Sequence, residues 1–349
     1  MKQKLLVVAL LSSLPLFANA QSNVTMYGML DASIGVEKTG VPGTDSRTVV
    51  SSGTQSASRL GFRGTEDLGN GLKALFNIEA AINGDTGTTS STFFGRRAVV
   101  GLQGDFGTLT VGREYGPSAS VAGASDILGQ GFYGSNLAAF EDNSRLTRRL
   151  SNSVNYKSNA VSGFTLGAAY GAGENNVDNQ PSGDIVGLSL EYANAGFYAG
   201  GAYQKNEGTV TIAERKEYNI GLGYKFGDFE LRGGYMVADP EAFDNKYEQM
   251  NFGGSYTMGA NKFFVNYQQQ ELEVGDAKGR ALTLAYAYTL SKRTNVYVSA
   301  AKLRNNDNAV FGLTSPASTI APTVPAGVTG VSALGADPHV FNVGVRHSF

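Results

Sequence analysis

The 349-residue sequence contains no cysteine, no tryptophan and only two histidines. The lack of cysteine excludes disulfide bonds and thiolate catalytic or metal sites. Neither His339 nor His347 has a serine or aspartate that strand periodicity would place beside it, so no catalytic triad is visible. No metal-ligand cluster is visible either. These absences argue against an enzyme such as a protease or lipase, and no cofactor is predicted.

The chain also lacks a dominant charge and, beyond its N-terminus, a long apolar run. Its formal net charge of −2 does not fit a nucleic-acid-binding protein or a polybasic membrane anchor. No later segment approaches the ~20 apolar residues of a transmembrane helix. The N-terminal MKQKLLVVALLSSLPLFANA has two lysines, a short apolar run and an Ala-Asn-Ala site, which is typical of a secretory signal peptide. We expect residues 1–20 to be cleaved and residues 21–349 to form one domain.

What the sequence does contain is a repeated short turn rich in glycine, asparagine, aspartate and serine. The turns begin at Asp67, Gly104, Asn159, Asn194, Phe226, Met258 and Ser291. Consecutive starts are separated by 37, 55, 35, 32, 32 and 33 residues. A period of this size indicates an array of similar units, here a hairpin followed by a longer loop. The longer loops include 37–57, 115–150 and 304–338.

Apolar and polar or small residues alternate between these turns. Leu282, Leu284 and Tyr286, for example, alternate with small residues. Counting the strands gives sixteen, with short turns at one end and long loops at the other. A soluble β-sandwich or propeller is the alternative. These features together with the signal peptide instead favour a barrel whose outer face contacts lipid and whose inner face contacts water. The sequence therefore predicts an all-β fold, a 16-stranded antiparallel transmembrane β-barrel.

The final segment, FNVGVRHSF, continues this alternation to the last residue. Phe341, Val343, Val345 and Phe349 share one parity. Because a closed barrel has no free edge, we expect this strand to pair with the first strand, which begins at Asn23. Phe349 is then expected at the periplasmic interface, where aromatic residues are common.

Several motifs resemble those of a known family. They are VTMYGMLDASI, SRLGFRGTEDLGNGLKALFNIE, FGRRAVVGLQGDFGTLTVGREYGP, TLSKRTNVYV and the terminal VGVRHSF. They resemble the general trimeric porins of Gram-negative β-proteobacteria along the whole chain. The resemblance implies a homotrimer in the outer membrane, contact with lipid and lipopolysaccharide, and passive diffusion of small hydrophilic solutes. It also implies that the assembly machinery reads the C-terminal strand, through Phe341, Val343, Val345 and Phe349.

The loop at about 115–150 is long and partly apolar, with the stretch SVAGASDILGQGFYGSNLAAF. As a free loop it would expose an unusual apolar patch, so packing against the inner wall accounts for it better. The resemblance likewise implies a third outer loop that is folded into the lumen. Both lines of reasoning predict that this loop narrows the pore.

The charged residues expected at the constriction are inferred partly from strand parity and partly from the resemblance. Parity directs Arg59 and Glu79 inward, but it is ambiguous near Arg96 and Arg113. Resemblance to anion-selective family members implies a wall cluster of Arg59, Arg96 and Arg149. We expect the opposing acids to be Glu79, Asp126, Glu141 and Asp142, and the channel to be weakly anion-selective.

Two other channel classes remain as alternatives. A substrate-specific channel commonly uses an aromatic track, whereas this chain has no tryptophan, and its tyrosines and phenylalanines fall on the lipid parity. A TonB-dependent transporter needs an N-terminal plug domain, whereas the first strand begins almost directly after the expected cleavage site.

Overall fold

The computed structural model describes residues 23–141, 145–175, 177, 181–209, 213–241, 245–316, 318–327 and 329–349. The expected signal peptide and Asp142 therefore lie outside the described residues. Numbered along the chain, the sixteen barrel strands are β1 (Asn23–Lys38), β3 (Arg59–Gly69), β4 (Leu72–Asn83), β6 (Arg97–Gly104), β7 (Gly107–Tyr115), β8 (Arg149–Lys157), β9 (Phe164–Gly171), β10 (Ile185–Asn194), β11 (Phe197–Asn206), β12 (Arg215–Phe226), β13 (Phe229–Pro240), β14 (Tyr247–Met258), β15 (Asn261–Leu272), β16 (Ala277–Thr289), β17 (Thr294–Asn305) and β20 (His339–Ser348).

Short elements occupy some of the connections between these strands. They are the strands β2 (Arg47–Ser52), β5 (Thr88–Thr89), β18 (Leu313–Thr314) and β19 (Thr319–Ile320), the helix α1 (Pro117–Ala124), and 3-10 turns at Asn136–Phe140 and Val274–Asp276. Among the described residues, no helix is both long enough and apolar enough to cross a bilayer.

The last strand closes the barrel against the first. Strand β20 pairs antiparallel with β1, from Met29 opposite Ser348 to Lys38 opposite His339. Beyond the strand, the backbone groups of Gly28 and Phe349 exchange two hydrogen bonds of 3.1 Å. A Cβ at Gly28 would lie 2.3 Å from the Phe349 ring, so glycine is required there. The predicted pairing of the first and last strands is confirmed.

Strand parity separates two faces of the sheet. On β16, Leu282 and Leu284 are 51% and 55% exposed, whereas Ala281 and Thr283 are buried. The terminal-strand residues of the predicted assembly signal, Phe341, Val343, Val345 and Phe349, lie on the exposed face, with 38–52% of their surface accessible. An apolar face of this kind is stable where lipid covers it.

Aromatic side chains gather at the short-turn end of the exposed face. Phe226 stacks on Tyr224 and on Phe229 with centroid distances of 5.6 Å, and Phe229 lies 4.5 Å from Tyr256. Such girdles mark the membrane interface of outer-membrane barrels.

Two of the longest connections that the sequence assigned to loops contain additional strands. In 37–57, β2 continues the sheet by pairing with β1. In 304–338, β18 and β19 form a small hairpin whose Leu313 and Ile320 are almost completely buried. The two-residue strands β18 and β19 are too short for strand periodicity to be recognised in the sequence.

Candidate functional site

The connection between β7 and β8 is fixed to the buried face of the sheet. It starts with α1, in which Pro117 occupies the first turn and fits the helical φ without losing a hydrogen bond. Side-chain donors on β12, β14, β15 and β16 bind backbone carbonyl oxygens of this connection. The bonds run from Asn219 Nδ2 to Ser118 (2.6 Å), Asn251 Nδ2 to Ser125 (3.2 Å), Asn266 Nδ2 to Gly134 (2.9 Å) and Thr283 Oγ1 to Tyr133 (2.7 Å).

The apolar residues of this connection are buried. Val121, Phe132 and Tyr133 are at most 1% exposed. The Phe132 ring meets the wall residue Tyr297 edge-on, with centroids 5.4 Å apart. Burial of these side chains removes the apolar patch that the sequence would otherwise expose to water.

The Asp126 carboxylate forms several hydrogen bonds within the connection. Its carboxylate accepts hydrogen bonds from the backbone N–H groups of Leu128 (3.0 Å), Gln130 (3.0 Å) and Asn136 (3.1 Å). The residue has no exposed surface, and burial raises the pKa of its carboxyl group to about 6 against the opposing effect of those three donors. Asp126 therefore uses its hydrogen-bonding capacity inside its own segment, and its expected position opposite Arg59, Arg96 and Arg149 stays a prediction.

The structure brings Arg59, Arg96 and Arg149 together on the other side of the barrel. Arg96 Nε donates to Glu79 Oε1 at 2.5 Å, and Arg59 Nε lies 3.5 Å from Glu79 Oε2. Nη2 atoms of Arg96 and Arg149 donate to the Tyr115 hydroxyl at 3.1 and 2.9 Å. A continuous chain of contacts thus joins the three arginines through one carboxylate and one phenol.

Glu79 does not oppose this cluster, contrary to the sequence-based expectation. Its carboxylate lies between Arg59 and Arg96, and it also accepts a hydrogen bond of 3.0 Å from the Tyr27 hydroxyl. Strand parity placed Glu79 on the correct face but could not determine which side chains it would contact. The Glu79 carboxylate therefore partly neutralises the positive charge of the arginine cluster, which we call the arginine wall.

Sequence reasoning missed Arg148 and Tyr115. The Arg148 guanidinium lies 5.6 Å from the centre of the Tyr115 ring and donates to Gln130 Oε1 at 2.6 Å. Burial and the neighbouring Arg149 lower the pKa of Arg148 to about 10, so it remains protonated at neutral pH. A β-bulge between Gly112 and Glu114 shifts the register here, and strand parity cannot reveal such a shift.

A cavity of about 440 Å³ lies beside the arginine wall. Its lining includes Arg96, Arg113, Arg148, Arg149 and Glu141. Glu141 accepts a hydrogen bond of 2.5 Å from Thr314 Oγ1, and its Oε2 lies 3.5 Å from Arg145 Nη1. Within this lining, therefore, four guanidinium groups share the space with one carboxylate. Such an excess of fixed positive charge attracts small anions.

Comparison with known proteins decides the family. A model of the Gram-negative porin family matches residues 6–308. The chain belongs to the Gram-negative porin family. It is 32% identical to outer membrane porin protein 32 of Delftia acidovorans over an alignment spanning both chains completely. It is 29% identical to an outer membrane porin protein of Bordetella pertussis, with 87% of this chain and 95% of that protein covered.

The porin fold is also found among solved structures. An anion-selective porin from Comamonas acidovorans superimposes with a TM-score of 0.82 and 30% identity, covering 94% of this chain and all of that one. The OmpF porin of Salmonella typhi, at 17% identity and a TM-score of 0.68, shares the fold alone; the alignment covers 95% of this chain and 99% of that one. The porin described here is accordingly a channel of the outer membrane with a closed 16-stranded barrel.

Proposed function

We propose that this porin is a general diffusion channel whose arginine cluster makes it weakly anion-selective. The observation that carries the proposal is the convergence of Arg59, Arg96, Arg148 and Arg149 around Glu79 and Tyr115. A permeating ion responds to charges within about 8 Å at physiological ionic strength. This local excess of positive charge therefore matters more than the net charge of the chain, which is −2.

Residues 115–150 form the constriction in this proposal. The bonds that fix this connection to buried side chains of β12, β14, β15 and β16 support its position inside the barrel. There it leaves a polar passage beside the arginine wall. Small hydrophilic solutes pass without a dedicated binding step.

The proposed assembly is a homotrimer embedded in outer-membrane lipid and lipopolysaccharide. Membership of the porin family and the apolar outer face support it. The C-terminal strand, through Phe341, Val343, Val345 and Phe349, is the segment proposed to be read by the barrel-assembly machinery. Its backbone pairing with β1 makes it the strand that completes the barrel.

Reversal potentials in planar bilayers under a KCl gradient test the proposed selectivity. The variant Arg59→Ser/Arg96→Ser should shift the reversal potential toward potassium without closing the channel. The control Arg280→Ser/Arg304→Ser removes the same charge from the outward face and should leave the potential unchanged. A wild-type channel that prefers potassium, or equal shifts in both variants, contradicts the proposal.

A further inference from the structure

An ion pair is buried on the inner face of β12, next to the end of the connection between β7 and β8. Glu217 has no exposed surface, and Arg215 is 3% exposed. Arg215 Nε and Nη2 both lie 3.0 Å from Glu217 Oε1. Because a buried ion pair can commonly be replaced by apolar residues without loss of stability, stability alone does not account for this pair.

The ion pair binds one residue of the connection, Thr147, together with a neighbouring amide. The Thr147 backbone N–H donates to Glu217 Oε2 at 2.8 Å, and the Thr147 hydroxyl donates to Glu217 Oε1 at 2.9 Å. Arg215 Nη2 donates to the same hydroxyl at 3.0 Å. Gln204 Nε2, on β11, donates to the Thr147 carbonyl at 3.3 Å and to Glu217 Oε2 at 3.0 Å. All polar groups of Thr147 are therefore bound, and we call Gln204, Arg215 and Glu217 the threonine clamp.

Thr147 directly precedes Arg148 and Arg149, two members of the arginine cluster. The backbone after the threonine clamp is also fixed. The Gly116 N–H donates to the Arg148 carbonyl at 3.1 Å, and Arg149 pairs with Tyr115 in the sheet. The backbone is thus held before and after the two arginines, which determines the directions in which their side chains leave the chain.

The two guanidinium groups themselves have only neutral hydrogen-bond partners. Arg148 Nη2 donates to Gln130 Oε1 at 2.6 Å, and Arg149 Nη2 donates to the Tyr115 hydroxyl at 2.9 Å. The Nε atoms of both arginines are buried without a hydrogen-bond partner. Within the described part of the chain, neither guanidinium lies within ion-pair distance of a carboxylate. Because the two cations repel each other, the backbone that carries them has to be held in place.

We propose that the threonine clamp is a positioning element for selectivity, which holds Thr147 so that the guanidinium groups of Arg148 and Arg149 reach the cavity beside the arginine wall. The Glu217 carboxylate is its central group, because it accepts from both donors of Thr147 and from Gln204. An acid on the inner face of the barrel thereby supports the preference for anions, although its charge alone would oppose it. The inference rests on the proposed anion selectivity and extends its determinants to β11 and β12.

The test uses the direction in which the reversal potential changes. The variant Glu217→Gln removes the carboxylate of the threonine clamp and one negative charge from the inner face. If Glu217 acted only as a charge, the potential would shift toward chloride, whereas release of the arginines shifts it toward potassium. Because a charge acts over only about 8 Å at physiological ionic strength, we expect the anion-to-cation permeability ratio to fall at least about twofold. An unchanged potential, or a shift toward chloride, overturns the proposal.

The matched control is Glu230→Gln, on the neighbouring strand β13. Glu230 also lies on the inner face, two residues from its ion-pair partner, with Oε1 2.6 Å from Arg232 Nη2. Its second ion-pair partner is Lys262, at 3.6 Å, so its replacement leaves the bonds of Thr147 intact. The control removes the same charge and should not shift the potential toward potassium. Equal shifts of both variants toward potassium overturn the proposal.

A second pair of variants leaves every charge in place and serves if Glu217→Gln does not fold. Thr147→Val keeps the shape of the side chain but removes the hydroxyl that bonds to Glu217 and Arg215, whereas Thr147→Ser retains that hydroxyl. The valine variant should shift the reversal potential toward potassium, and the serine variant should keep the wild-type value. Equal potentials in wild type and both variants contradict the proposal. Heat-modifiable electrophoretic mobility establishes that each variant is folded.

Hydrogen–deuterium exchange separates this inference from the proposed function. The peptide that contains Thr147 should exchange faster in Glu217→Gln than in wild type, because its backbone N–H loses a charged acceptor, and at the wild-type rate in Glu230→Gln. Unchanged exchange, or faster exchange without a shift in the reversal potential, overturns the inference. A wild-type channel that prefers potassium contradicts the proposed anion selectivity, but the direction of the Glu217→Gln shift still decides whether the threonine clamp positions the arginines.

Discussion

The two inner walls of the barrel use different chemistry. The wall formed by β12–β16 presents mainly neutral amide and hydroxyl side chains, which bind backbone carbonyls of the connection between β7 and β8, together with the buried ion pair Arg215–Glu217, which binds Thr147 of the same connection. The wall around β3, β4 and the start of β8 presents arginines, which contact one another through Glu79 and Tyr115. Neutral donors can be buried with a single partner at modest cost, whereas buried guanidinium groups need acidic or polar partners, which Glu79, Tyr115 and Gln130 supply. One wall therefore fixes the connection, and in the proposed function the other faces the solute.

The largest expected effect comes from removing the neutral anchors. In Asn219→Ala/Asn251→Ala/Asn266→Ala, three buried carbonyl groups lose their donors, at about 1–3 kcal/mol each. We expect the connection to leave the wall, with open-channel noise and several conductance levels in single-channel recordings. The control Asn155→Ala, on β8, removes an amide whose Nδ2 donates to Ser153 on the same strand, and it should leave the current steady. Equally quiet channels in both variants would show that these bonds do not hold the connection.

An intermediate effect is expected from Asp126, as a pH dependence. Its pKa of about 6 in the folded connection exceeds the ordinary value of 3.8, so the packed form binds the proton more tightly than a released connection does. Packing is then most stable below about pH 4 and loses stability as the pH rises through about 6. Protease sensitivity of residues 116–141 should increase across that range in wild type.

The variant Asp126→Asn isolates this effect. Its amide cannot ionise, so the protease sensitivity should become independent of pH between about 4 and 7, although the loss of an acceptor oxygen should raise it overall. The same pH slope in wild type and variant would refute the assignment to Asp126.

The smallest expected effect concerns Tyr115. The change Tyr115→Phe removes the oxygen that accepts from Arg96 and Arg149 but keeps the ring under Arg149, whose guanidinium carbon lies 4.6 Å from the ring centre. The arginines should remain in place with slightly greater freedom. We expect the anion-to-cation permeability ratio to change by less than about fivefold, since one neutral hydrogen-bond partner contributes about 1 kcal/mol. A complete loss of selectivity would mean that the phenol, not the guanidinium groups, determines it.

The fold could be predicted from the sequence because its signals are local. Period-two alternation and short glycine-rich turns specify strands and hairpins without knowledge of distant residues. The pairing of the last strand with the first followed from the requirement that a barrel has no edge. The hairpin at Leu313–Ile320 could not be predicted, because its two-residue strands are stabilised by burial and not by their own pattern.

The candidate site was less predictable because it depends on partners that are distant in sequence. Parity placed Glu79 on the inner face, yet its position between Arg59 and Arg96 depends on the packing of neighbouring segments. Asp126 was expected to oppose the arginines, but its hydrogen-bond partners are backbone groups that converge only when the segment folds. The register shift at Gly112–Glu114 concealed the contacts of Tyr115 and Arg148.

The most direct test of the difference between the two walls is to locate the ions inside the channel. Crystals of the wild-type porin soaked in rubidium bromide would be measured for anomalous scattering at the bromine and rubidium edges. The account predicts bromide beside Arg96, Arg148 and Arg149, and no bromide along Asn219, Asn251 and Asn266. Bromide distributed equally along both walls, or rubidium at the arginine wall, would contradict it.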